Sequence, residues 1–90
     1  MVESKIQAKI IAYINTIGYC VKVQSASKSG VPDLLCCVDG RFIALEIKRC
    51  CGGITSPLQE YNVQLIKNAG GIAHVVSSLE EVKLIIGEVR

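Results

Sequence analysis

The stretch Leu34–Lys48, LLCCVDGRFIALEIK, holds two apolar runs joined by Asp39-Gly40. An Asp-Gly step between such runs is a strong short-range signal of a two-residue type I′ turn. The segment therefore reads as an antiparallel hairpin of Leu34–Val38 and Arg41–Lys48. A two-residue loop sets Val38 opposite Arg41, and counting outward sets Asp33 opposite Glu46. Because side chains alternate along a strand, Leu35, Cys37, Phe42 and Ala44 share the face of these two acids. Leu34, Cys36, Ile43 and Leu45 take the other.

Two carboxylates directly opposed on one face have Cβ atoms roughly 4.5–5.5 Å apart. They repel unless one is protonated or a cation sits between them. A hairpin selected only for stability would avoid that register. Magnesium and similar hard dications take oxygen ligands, commonly one or two carboxylates with waters and a substrate phosphate. Lys48, two residues past Glu46, projects from the same face about 6–7 Å further along. An ammonium there could hold a water beside the metal or face charge on a phosphate. The carbonyl of Ile47, between them, is a further candidate ligand.

The remaining segments surround this hairpin with helices. ESKIQAKIIAYINTIG places Ile6, Ile10, Ile14 and Ile17 at helical spacing and stops at Gly18. YCVKVQ (19–24) is strand-like and SASKSG (25–30) is a polar loop. Ser56-Pro57-Leu58-Gln59 has serine at N-cap, proline at N1 and glutamine at N3, opening a helix that ends at Gly70-Gly71. Ile72–Val76 is a short buried strand, and Ser77-Ser78-Leu79-Glu80-Glu81 opens a last helix. The expected order is α-β-β-β-α-β-α, a mixed α/β fold with a small sheet flanked by helices, in one domain spanning 1–90.

Glu3 falls in the middle of the arc of Ile6, Ile10, Ile14 and Ile17, so a helix burying that arc carries Glu3 inward. It is a candidate ligand; the plain alternative is a carboxylate favoured by the helix dipole. Plain alternatives exist elsewhere too. Asp33 after Gly30-Val31-Pro32 fits a turn, Glu46 and Lys48 fit a solvated hairpin edge, and Gln59 fits a capping box with Ser56.

The net charge of +2 does not by itself point to nucleic acid. Three of the eight acids, Glu3, Asp33 and Glu46, are candidate metal ligands, and a bound dication would make that region more positive. The apolar runs are too short to span a bilayer, and MVESKIQAK lacks the apolar core of a signal peptide, so a soluble cytoplasmic protein is expected. Five cysteines stand at 20, 36, 37, 50 and 51. The odd number argues against a disulfide framework. Vicinal pairs lack the C-x2-C spacing of zinc knuckles, so these thiols read as small hydrophobes. His74, the only histidine, reads as structural or surface.

With Gly30-Val31-Pro32-Asp33 and Leu45-Glu46-Ile47-Lys48-Arg49 in place, the chain resembles the PD-(D/E)XK nuclease superfamily, and within it a stand-alone VRR-NUC domain. The likeness runs over nearly the whole chain, from an acid on the first helix to a glutamine opening the helix after the hairpin. It implies a restriction-endonuclease-like αβββαβ core and magnesium- or manganese-dependent phosphodiester hydrolysis, with no organic cofactor. By position, Glu3, Asp33, Glu46 and the Ile47 carbonyl would surround the metal. Lys48 would assist the attacking water, and Gln59 would reach in from its helix.

The resemblance further implies structured DNA, with four-way (Holliday) junctions the expected substrate. Half the residues are hydrophobic, more than a small fold easily hides, so a homodimer is expected. Lys22, Lys28, Arg41 and Arg49 are candidate phosphate contacts. No helix is rich in base-reading side chains, which favours readout of shape. A flap or branched-DNA nickase, a non-catalytic DNA-binding scaffold, and a thiol-based metal or redox module are the alternatives.

Overall fold

A computed structural model describes residues 3–48 and 55–90. Its elements are α1 (Glu3–Ile14), β1 (Tyr19–Lys22), β2 (Leu34–Val38), β3 (Arg41–Ile47), α2 (Pro57–Asn68), β4 (Ile72–Val76) and α3 (Leu79–Val89). This is the expected order. The strands form one sheet in the order β1-β2-β3-β4, with β4 parallel to β3 and the others antiparallel.

Asp39 and Gly40 both have positive φ, 52° and 78°, as a type I′ turn requires. The register runs from Val38↔Arg41 to Leu34↔Leu45, as counted from the turn. One face of the sheet carries Leu34, Cys36, Val38, Ile43, Leu45 and Ile47, packed against Ile6, Ile10 and Ile14 of α1 and Val82 and Ile86 of α3. The other face places Ala44 and Ala73 against Val63 of α2. α2 therefore lies on the side of the sheet that Asp33 and Glu46 share.

α1 is shorter than the isoleucine spacing predicts, and a turn follows Ile14. The cause is Asn15, whose side chain accepts from the Cys20 N–H at 2.9 Å and donates to the Cys20 carbonyl at 3.2 Å. That amide occupies the place of a neighbouring strand on the outer edge of β1. α2 is set by a reciprocal capping box between Ser56 and Gln59 with Pro57 in its first turn.

The loop before Asp33 is clasped to α2. Asn62, buried in α2, donates to the carbonyls of Ser29 and Leu58 at 3.2 and 2.9 Å. Gly30 has φ +82°, and a Cβ there would lie 2.7 Å from Leu58 Cγ and 2.9 Å from the Leu58 carbonyl oxygen. Gly40 shares the positive φ but has open space around it. Gly30→Ala should cost at least about 2 kcal/mol and Gly40→Ala about 1 kcal/mol, because only the first adds a clash to the backbone strain. Urea unfolding of the two variants checks the difference.

Candidate active site

The site lies where β2 begins and β3 ends. Glu46, on β3, is 2% exposed. Its Oε2 accepts from Gln59 Nε2 at 2.9 Å and pairs with Lys48 Nζ at 3.1 Å. Its Oε1 is buried without a hydrogen-bond partner. An unpartnered buried carboxylate oxygen is costly, several kcal/mol when the group is charged, so it marks a place where something is missing.

Asp33 directly precedes β2. Its carbonyl accepts from the Val23 N–H at 2.8 Å, and its Oδ2 accepts from the Ile47 N–H at 2.9 Å. One further step of the β2–β3 ladder would set Ile47 opposite Pro32. Proline has no N–H, so nothing at that position can donate to the Ile47 carbonyl. In an extended strand the N–H and C=O of one residue point the same way. The Ile47 carbonyl is thus turned toward the side where Asp33 sits, while Lys48 takes up the β4 side through its N–H to the Val76 carbonyl at 2.9 Å.

Burial pushes the Glu46 carboxyl up to about 7, the nearby Asp33 charge adds to the rise, and Lys48 partly opposes it. Opposed acids and a hydrophobic surround thus keep Glu46 reluctant to ionise in the absence of further positive charge.

Gln59 makes two contacts with its one side-chain amide. Its Oε1 accepts from the Ser56 N–H at 3.0 Å, closing the cap, while its Nε2 holds Glu46. One amide thereby couples the start of α2 to the carboxylate.

Other expected residues are placed differently. Glu3 is half-buried at the start of α1, and α1 packs on the opposite face from Glu46. Among the described residues no three His, Cys, Asp or Glu side chains gather in a metal-binding group, so Glu3 does not join Asp33 and Glu46. The helix arc that Glu3 shares with Ile6, Ile10 and Ile14 packs against the other layer of the sheet.

Arg41 begins β3 beside the turn, at the far end of the strand from Glu46, about 17 Å away along an extended chain. Lys22 ends β1 near the site's end of the sheet but, paired with Leu34, its side chain lies on the α1 face, and Lys28 is exposed in the clasped loop. Arg49, Cys50 and Cys51 lie outside the described residues. Cys36 is buried and Cys37 exposed, as adjacent strand positions demand. His74 is half-buried on β4. Asn62 and Asn15 escaped the sequence reading, since a lone asparagine carries no spacing that announces a clasp.

No family model and no curated protein matches the sequence. Solved structures do. One, titled "VRR_NUC domain", superposes with a TM-score of 0.82 at 24% identity, over 94% of this chain and 94% of that one. Another, "VRR_NUC domain protein", gives 0.79 at 17% identity, over 98% of this chain and 87% of that one. The chain has the VRR-NUC fold. The mixed sheet with its flanking helices is the small restriction-endonuclease-like architecture that the hairpin and caps imply.

The Glu46 shift has a measurable sign. Its folded pKa, about 7, lies above the ordinary 4.5, so the folded state holds the extra proton between these values. Stability from this group is present at low pH and is lost as pH rises through about 7. With EDTA present, the wild-type protein should lose roughly 2–3 kcal/mol more than Glu46→Gln between pH 5 and pH 8. Denaturant titrations of both at the two pH values check it.

Proposed function

We propose that this protein is a metal-dependent DNA endonuclease, a single VRR-NUC domain over residues 1–90 that hydrolyses phosphodiester bonds in branched DNA. The observation carrying this reading is the buried Glu46 carboxylate, one oxygen unpartnered, beside Asp33 and the outward carbonyl of Ile47. The donor set is all oxygen, which suits magnesium or manganese rather than a softer ion. The VRR-NUC fold is a second support.

Asp33, Glu46 and the Ile47 carbonyl would hold the metal. When bound, it supplies positive charge at the scissile phosphate and favours ionisation of an adjacent water. Glu46 then has the charge that its environment lacks and stays ionised at neutral pH. Gln59 is a positioning residue, fixing Glu46 Oε2 so that Oε1 points into the site. Lys48 Nζ, already 3.1 Å from Glu46, orients the attacking water or faces the negative charge that grows on the phosphate oxygens. Lys22 and Lys28, both exposed, would help steer the DNA backbone toward this end of the sheet, whereas Arg41 would touch only DNA that extends past the turn.

The form of DNA follows from symmetry. On the α2 side, the sheet positions Tyr19, Val21 and Phe42 are exposed, and the near flank of α2 adds exposed Leu58, Tyr61 and Leu65. Together their exposed parts amount to roughly 500–600 Å², near the 800 Å² a partner commonly buries in a stable dimer. A second copy is the occupant that fits, its α2 flank against this sheet and the reverse, in a two-fold contact. Two sites related by that axis match the strands of a four-way junction, and a monomer would fit a flap or single-branch nickase.

The test incubates purified protein with labelled four-way junction, flap, linear duplex and single strand, in magnesium, manganese or EDTA, beside Lys48→Ala. Paired nicks near the junction centre are expected with metal and none with EDTA. Lys48→Ala should cut at least about 100-fold more slowly. Nicking of flaps by a protein that sediments as a monomer would keep the chemistry and replace the resolvase role. Junction binding without cleavage under either metal would overturn the enzyme reading in favour of a scaffold.

A further inference from the structure

Away from the metal site, on the opposite face of the sheet, two thiols meet. Cys20 of β1 stands directly opposite Cys36 of β2, and the Cys36 Sγ–H donates to Cys20 Sγ at 3.2 Å. Both are 3% exposed and belong to the core beneath α1 and α3.

The ladder says which kind of pair this is. Val23 donates its N–H to the Asp33 carbonyl, so Val23 and Asp33 form a hydrogen-bonded pair. Bonded and non-bonded pairs alternate in an antiparallel ladder. Three steps back, Cys20 and Cys36 are therefore a non-hydrogen-bonded pair. The same conclusion follows from Asn15, which takes the N–H and C=O of Cys20 on the outer edge of β1.

Non-hydrogen-bonded partners have Cα atoms about 4.5 Å apart, inside the 4.4–6.8 Å range that a disulfide spans. The sulfurs stand roughly 1.2 Å short of bonding distance, so closing the bond asks for small rotations and no backbone shift.

We propose that Cys20 and Cys36 are a disulfide-forming pair, which a peroxide converts to a covalent cross-strand bond between β1 and β2. The Cys20 thiolate attacks one peroxide oxygen, giving Cys20–S–OH and hydroxide. Cys36 sulfur then attacks Cys20 sulfur, and the hydroxyl leaves as water with the Cys36 proton. Two electrons pass from the two thiols to one peroxide, and two waters form in total.

The order of attack follows from the hydrogen bond. Cys20, the acceptor, has its pKa lowered by the Cys36 thiol against the opposing effect of burial. Cys36, the donor, is pushed up by the same bond and by burial. β1 is a short edge strand of four residues, so the pair lies at the margin of the sheet.

The bond would close the segment 21–35, which carries Lys22, Lys28, Pro32 and Asp33, and so tie the approach to the proposed site onto the sheet. It does not depend on the nuclease reading, since neither thiol lies on the face of Glu46.

The experiment treats metal-free protein with hydrogen peroxide and follows intact mass, a tryptic map and thermal unfolding. The triple variant Cys37→Ser, Cys50→Ser, Cys51→Ser leaves only the pair in question. The expected result is a loss of about 2 Da and a link between tryptic peptides 10–22 and 29–41. The melting temperature should rise on the order of 10 °C, reversed by dithiothreitol. Cys36→Ser should abolish the link. Should the triple variant fold poorly, fragmentation of the linked wild-type peptides, which separates Cys36 from Cys37 in 29–41, gives the same reading. Oxidation of Cys20 or Cys36 to sulfinic or sulfonic acid without a link would overturn the proposal, as would an unchanged pair while Cys37 oxidises.

Discussion

A two-residue turn at Asp39 and Gly40 decides which side chains of β2 and β3 face one another, and the rest of the site depends on that register. A slip by one residue would move Glu46 and Lys48 to the α1 face and bring Ile47 to the α2 face. The turn also aligns Ile47 with Pro32, the one residue type that cannot return a hydrogen bond to its carbonyl. A carbonyl freed of its ladder partner and two facing acids thus arise together from one local choice of backbone.

The register makes a buried acid unavoidable, and the surrounding fold answers the cost of several kcal/mol in part. Gln59 and Lys48 both attend to Glu46 Oε2, leaving Oε1 alone. α2 matters twice here, because its capping glutamine holds the acid and its Asn62 holds the loop that delivers Asp33. The positive φ and close approach at Gly30 belong to the same contact. The site is therefore built by one hairpin and one helix, while α1 and α3 supply the hydrophobic layer behind it.

Much of this was legible in the residues because it rests on short-range rules. The Asp-Gly turn, the Ser-Pro-x-Gln cap and the isoleucine spacing each specify local backbone, and together they specify the order of elements and the β2–β3 register. What escaped was layer and direction. Spacing put Glu3 on the arc of the isoleucines but does not say which face of the sheet α1 covers. Composition marked Arg41 as basic, yet a residue that starts β3 must lie at the turn, remote from one that ends it. Gln59 looked like either a cap or a site residue, and only the three-dimensional path of its amide lets it close the cap and reach Glu46 together. The pairing of Cys20 with Cys36 needed the β1–β2 register, which a long connecting loop leaves unspecified in the sequence.

Asp33, Glu46 and the Ile47 carbonyl are proposed to form one cation site. It is tested most directly by growing crystals with manganese and mapping its anomalous scattering. A single strong peak within about 2.0–2.3 Å of those three oxygens is expected, with Gln59 still bound to Glu46. A map with no peak there, or with manganese held elsewhere while Glu46 keeps Oε1 unpartnered, would contradict it.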